Sequence, residues 1–210
     1  MKKDRNEMNL ELSNSSILCS FERKNKYTIF SPEMKPLYNA IENTDCCTRN
    51  CCGKIRPFDL NITDPSSDDP IIHLYRPLRC DSYCCVPCCP QVLEVNSPPG
   101  TLIGRIVQEC SFWHPRLTVR KPDDDVLFVL KGPFVCHCRC CSDLDYQLLT
   151  ADEDTKLGSI TKKWRGCCSE AFTDSDNFRI DFPVGLTANT KALLIGAAFL
   201  VDFMFHENTR

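Results

Sequence analysis

The feature that most constrains this chain is an apolar run near its C-terminus, Ala192-Leu193-Leu194-Ile195-Gly196-Ala197-Ala198-Phe199-Leu200-Val201-Asp202-Phe203-Met204-Phe205. It holds one charge, Asp202, and at helical spacing its apolar residues cover every face. A helix of that kind is buried in protein or sits in lipid. At about 1.5 Å per residue it is roughly 21 Å long, against a hydrocarbon core about 30 Å thick. Extension back to Thr187, a candidate N-cap, approaches spanning length but adds the polar residues Asn189, Thr190 and Lys191. Length therefore favours burial within the protein's own fold.

The rest of the chain must supply the cover. Apolar runs recur between turn signals at Tyr27–Phe30, Tyr38–Ile41, Phe58–Ile62, Ile71–Tyr75, Gln91–Val95, Leu102–Gln108, Leu117–Arg120, Val126–Leu130, Tyr146–Leu149 and Phe178–Phe182. Roughly ten short strands at turn-marked spacing predict a sandwich or barrel. A closed barrel removes exposed edges, and its lumen would house an all-apolar helix. Phe178, Ile180 and Phe182 fall on one face of their strand. Ser159–Trp164 reads as a short helix or strand, and Cys46–Cys52 as a turn. Residues 1–24 are polar and read as poorly ordered, leaving 25–210 as the domain, with the C-terminal helix at about 187–206.

The chain has 210 residues, net charge −3 and 17 cysteines. It carries no broad basic footprint, so a nucleic-acid partner is not expected. No apolar segment of signal-peptide length follows Met1, which predicts an intracellular chain with few disulfides. Lys2 excludes N-myristoylation. Many cysteines are adjacent pairs, a pattern that suits thioacylation or soft-metal binding better than spaced bridges.

Cys84-Cys85-Val86-Pro87-Cys88-Cys89 places four thiols in six residues. Three readings stay open: thioacylation near a membrane, a zinc site using Cys85-x-x-Cys88, or a thiol-rich loop. Cys136-His137-Cys138-Arg139-Cys140-Cys141 could also hold a metal, but strand neighbours point to opposite faces. The segment Asp174–Gly185 opens like a calcium loop, with Asp174, Asp176, Asn177 and Asp181 as candidate ligands. It departs at Arg179, where Gly is needed, and at Gly185, where a bidentate acid is needed. Any such site is expected to be weak, on the order of millimolar. Thr161-Lys162-Lys163-Trp164-Arg165 is a short basic patch, read as a solvated turn, an import signal or an anionic-lipid contact. The four histidines sit in no nucleophile motif, and there is no G-x-S-x-G or P-loop, so no covalent chemistry is expected.

Thr44–Gly53, Arg76-Pro77-Leu78-Arg79-Cys80, Cys84–Cys89, Pro98-Pro99-Gly100, Phe172–Phe178 and Ile195–Phe205, in that order, resemble the phospholipid scramblase family. The resemblance runs from about Asn25 to about Glu207. It implies a tubby-like closed antiparallel barrel around the C-terminal helix, although the family is also described as single-pass. It implies bidirectional, ATP-independent, calcium-linked movement of phospholipids between leaflets. It further implies palmitoylation at Cys84, Cys85, Cys88 and Cys89, with Val86 in place of a further cysteine, and attachment to the cytosolic face of the plasma membrane. Phospholipids and their anionic headgroups are then the partners. Calcium would be held along Asp174–Gly185, more weakly than in typical members because of Arg179 and Gly185. The segment around Lys162, Lys163, Trp164 and Arg165 resembles a nuclear-import segment, so a chain that is not acylated could reach the nucleus. The chain lacks the family's proline-rich N-terminal extension, so SH3 and WW partners are not expected. A palmitoylated binding or regulatory module without transport activity is the alternative.

Overall fold

The computed structural model describes residues 7–12, 26–52, 55–67, 69–79, 89–134, 142–164 and 177–206. Twelve strands lie among them: β1 (Glu7–Leu12), β2 (Lys26–Phe30), β3 (Pro36–Glu42), β4 (Phe58–Thr63), β5 (Pro70–Arg76), β6 (Val92–Asn96), β7 (Leu102–Gln108), β8 (Arg116–Arg120), β9 (Val126–Lys131), β10 (Leu144–Thr150), β11 (Lys156–Lys163) and β12 (Asn177–Asp181). A short helix, α1 (Cys46–Cys52), joins β3 to β4, and α2 (Ala188–Val201) continues into a π-helical turn, Asp202–His206.

The strands form one closed antiparallel barrel in which sequence neighbours are spatial neighbours. The seam is β1 against β12, with Glu7 opposite Asp181 and Glu11 opposite Asn177. Period-2 patterning builds the wall. Phe58, Leu60 and Ile62 of β4 and Phe178 and Ile180 of β12 turn inward and are buried, while the residues between them are half-buried. The barrel and its apolar helix are as the sequence predicts. So are the ten predicted strands, to within two or three residues at their ends.

Three local expectations change. Ser159–Trp164 belongs to strand β11 through Lys163 and pairs with both β10 and β12. Cys46–Cys52 is a helical turn and not an open turn, because Asp45 caps it: the Thr48 backbone N–H donates to Asp45 Oδ1 at 2.9 Å. Glu7–Leu12 lies inside the stretch 1–24 read as poorly ordered, yet it is the strand that closes the barrel. Its alternation of Met8, Leu10 and Leu12 with polar residues supplies the register.

Helix α2 is capped by Thr187, whose hydroxyl accepts from the Thr190 backbone N–H at 3.3 Å. Every residue from Ala192 to Val201 is buried. Gly196 lets the helix meet the wall: a Cβ there would stand 3.0 Å from Val95 Cγ2. Gly104 on β7 serves the same contact, since its Cβ would come within 2.9 Å of Leu193 Cδ2. The helix enters beside the end of β12 and runs toward the starts of β2, β4 and β10, where Tyr27, Phe58 and Tyr146 meet its last turns.

An up-and-down barrel alternates its connectors between two rims. The rim where α2 ends carries the links β1–β2, β3–β4, β5–β6, β7–β8, β9–β10 and β11–β12. The other rim carries the remaining strand links and the entry to α2.

Candidate functional site

The lumen is sealed at the α2 end by a buried polar cluster. Arg56 Nε donates to Glu42 Oε1 at 2.8 Å and Arg56 Nη2 donates to Glu42 Oε2 at 3.1 Å, a two-pronged pair whose side chains are at most 1% exposed. The Arg56 guanidinium lies 4.7 Å over the Phe203 ring, which stacks on Phe58 at 4.1 Å between centroids. Arg76 donates from Nη2 to Gln91 Oε1 at 2.7 Å. Tyr27 donates its hydroxyl proton to Asp202 Oδ2 at 2.8 Å, and the Tyr146 hydroxyl lies 2.9 Å from His206 Nε2. The one carboxylate of the apolar run is thus tied to the barrel wall. A helix that crossed a bilayer would forfeit these bonds and empty the lumen.

The two rims differ chemically. In sequence, all 17 cysteines fall in the six stretches that join strands at the α2-end rim: 13–25, 43–57, 77–91, 109–115, 132–143 and 164–176. None falls in a strand or in a connector of the other rim. Those six stretches hold eight basic and eight acidic residues. The opposite connectors hold ten carboxylates (Glu33, Asp64, Asp68, Asp69, Asp123–Asp125 and Asp152–Asp154) against Lys35 and Lys121. Phe112, Trp113, Phe134 and Trp164, all exposed, also belong to connectors of the cysteine-bearing rim.

The predicted site residues are distributed as follows. Cys84, Cys85 and Cys88 lie outside the described residues, and Cys89 is half-buried at their edge. Cys47 and Cys51 on α1 and Cys110 are exposed at the same rim. Among the described residues, no group of three or more His, Cys, Asp or Glu side chains is placed to hold a metal.

Asp174 and Asp176 also lie outside the described residues. Asn177 and Asp181 stand at opposite ends of β12, about 13 Å apart along the strand, so they are not brought together for one ion. Strand alternation prevails there over the loop pattern. Asn177 Oδ1 is buried with no hydrogen-bond partner at the cysteine-bearing rim. Asp181 is engaged at the other: Arg179 Nε donates to its Oδ1 at 3.1 Å, and Arg179 Nη2 reaches Glu7 Oε1 at 2.5 Å. The Asp181 hydrogen bond holds the Arg179 pKa above its ordinary value against partial burial, with the Asp181 and Glu7 charges adding to it.

Lys162 and Lys163 sit on β11, and Arg165 is outside the described residues. Lys163 Nζ donates to Asp143 Oδ2 at 2.6 Å, and the Trp164 backbone N–H donates to Asp143 Oδ1 at 2.9 Å. Partial burial raises the Asp143 carboxyl, but these two bonds and the Lys163 charge outweigh it and hold it below its ordinary value of 3.8. Stabilisation from a carboxyl depressed in this way is complete above the ordinary value and is lost as pH falls through the folded one. Asp143→Asn is therefore expected to lower stability by up to about 1 kcal/mol at pH 7, the pair being half exposed. In urea titrations at stepped pH, that difference should vanish below the folded pKa.

Apart from Asp202, the polar cluster carries no sequence signal, and of the exposed aromatics only Trp164 stands in a recognisable patch. Arg76-Pro77 carries only the family resemblance, and no local pattern links Glu42 to Arg56.

A helix-filled antiparallel barrel with an acidic rim and a thiol-rich one is the class of protein these features define. Residues 7–208 match the Scramblase family model. Phospholipid scramblase 1 of Homo sapiens is 46% identical over 196 residues, covering 92% of this chain and 60% of the relative. Phospholipid scramblase 2 of Bos taurus is 44% identical over 197 residues, covering 92% and 65%. Phospholipid scramblase family member 5 of Homo sapiens is 38% identical over 193 residues, covering 92% and 70%. No solved structure matches. The chain belongs to the scramblase family, and it spans about 60% of the length of the first of these relatives.

Proposed function

We propose that this chain moves phospholipids between bilayer leaflets, in both directions and without ATP, in response to calcium. It acts at the cytosolic face of the plasma membrane. The observation that carries the reading is the family match across 7–208, with relatives named as phospholipid scramblases. In this reading Cys84, Cys85, Cys88 and Cys89 carry palmitoyl chains. Each buried methylene adds about 0.8 kcal/mol, and two chains give a stable anchor. Their sequence neighbourhood joins β5 to β6 at the same rim as the other cysteines.

Calcium is bound weakly by Asp174 and Asp176 with the unpartnered Asn177 oxygen, a donor suited to a hard cation. Asp181 stands at the other end of β12, out of reach of that ion, where Arg179 holds it. Arg179→Ala is therefore expected to act only by removing a positive charge two residues from Asn177, seen as a slightly lower midpoint in calcium titrations. The test is reconstitution in liposomes with leaflet-labelled lipid. Calcium-dependent loss of label that Asp174→Ala abolishes supports the reading. A folded, membrane-bound chain that leaves the label in place at millimolar calcium overturns it.

A second reading is supported by one observation. The lumen is filled by α2 with apolar contacts, so the barrel interior offers no polar path for a headgroup. In that reading the chain is a palmitoylated binding or regulatory module, nuclear when not acylated, and the liposome assay separates the two.

A further inference from the structure

The loop between β7 and β8 is built to hold two aromatic side chains in water. Phe112 and Trp113 are each 65% exposed, and Phe134, from the neighbouring β9–β10 connector, is 42% exposed. Such exposure of large apolar rings normally marks an interaction site. The Trp113 and Phe134 rings are braced against each other. Trp113 lies nearly parallel to Phe134, with centroids 5.8 Å apart and planes 7° off. His114 Nδ1 donates to the Gly132 carbonyl at 3.1 Å, and the Gly132 N–H donates to the Pro115 carbonyl at 2.7 Å. The Glu109 N–H donates to the Arg116 carbonyl at 2.9 Å and closes the base of the loop. The result is a braced aromatic knuckle.

We infer that this knuckle is a membrane-docking site, and that the barrel meets the bilayer with its cysteine-bearing rim, Phe112 and Trp113 seated at the headgroup level. The inference rests on the membrane partnership proposed above and adds to it a site and an orientation. Three observations favour a bilayer over a protein partner. Tryptophan and its aromatic neighbours are the side chains that settle at membrane interfaces. Carboxylates crowd the opposite rim, where Asp69, Asp123, Asp124, Asp125, Asp152 and Asp154 are exposed, and an anionic surface repels that end. The knuckle's own rim has balanced charge in sequence, so apolar insertion there meets no electrostatic barrier. The exposed thiols Cys47 and Cys51 share that rim. Among the described residues, Tyr75 is the exposed aromatic that departs from this placement, lying on the wall in β5.

The chain has two tryptophans, Trp113 and Trp164, which makes the test direct. Trp164→Phe leaves Trp113 as the reporter. The unacylated full chain is mixed with phosphatidylcholine vesicles, with and without phosphatidylserine, containing lipid brominated high on the acyl chain. Docking predicts a blue shift and strong quenching of Trp113, little altered by the phosphatidylserine fraction. Phe112→Ser with Trp113→Ser is expected to weaken vesicle binding roughly ten- to hundredfold, for two exposed rings that need no refolding. Vesicle-bound protein with unquenched Trp113 overturns the inference, as does no binding to either vesicle. A blue shift that grows with protein concentration in the absence of vesicles would assign the knuckle to a second copy and equally overturns it. The quenching requires no transbilayer movement. A chain that docks through Trp113 yet moves no label keeps this inference and sinks the transport reading, whereas one that moves label with Trp113 unquenched does the reverse.

Discussion

Glu42→Gln is expected to cost about 3–5 kcal/mol of unfolding free energy, because it strips the carboxylate charge from a guanidinium that has no access to water. For a chain of this size that corresponds to a fall of roughly 6–20 °C in Tm. The loss should be far larger than for the half-exposed pairs on the wall, such as Arg105 with Glu94, where about 1 kcal/mol or less is at stake. Replacing both partners, Glu42→Leu with Arg56→Met, should recover most of the stability. An apolar pair needs no desolvation to be offset, and Met can still lie against Phe203. Guanidinium melts of the three chains decide the matter. A single-variant loss below about 1 kcal/mol would mean that the charge pair does not hold the mouth of the barrel.

Phe203→Ala is expected to cost about 3–5 kcal/mol as well, by a different route. The ring is fully buried, stacks on Phe58, lies beneath Arg56 and sits 6.5 Å from Tyr27. Its removal opens a cavity where helix, wall and polar cluster meet. Phe203→Leu should recover more than half of the loss if volume dominates. If it recovers little, the face of the ring under the guanidinium is what counts. Because Phe203 and Arg56 touch, the double variant Phe203→Ala with Arg56→Met should be non-additive.

Much of this fold is legible from one sequence because period-2 patterning is strong. Phe58–Ile62 and Phe178–Phe182 announce both strand and inward face, and the all-apolar run at 192–205 announces its need for cover. Strand β1 is hard to read although Met8, Leu10 and Leu12 alternate, because polar residues flank them and the partner that gives them register, β12, lies at the far end of the chain. The hard-cation pattern at 174–185 and the alternation at 178–182 compete for the same residues, and burial of Phe178 and Ile180 decides for the strand. The Glu42–Arg56 pair could not be read, since its partners are joined across a connector by geometry alone. The same holds for Trp113 and Phe134. Each looks like an ordinary loop aromatic until the barrel sets their connectors side by side.

The barrel is closed by its first strand against its twelfth and filled by the helix that follows. Glu7 cannot find Asp181 until β12 has left the ribosome, and the inward-facing side chains find their filling only when α2 has followed. At about 5–20 residues per second, the nascent chain therefore spends roughly ten to forty seconds as an unclosed sheet with a bare apolar face. Most strand pairings are local hairpins, but the β1–β12 seam and the packing of α2 join distant parts of the chain, and closures of that kind are slow. A premature stop anywhere before α2 would leave the barrel without its filling and its inward apolar face bare.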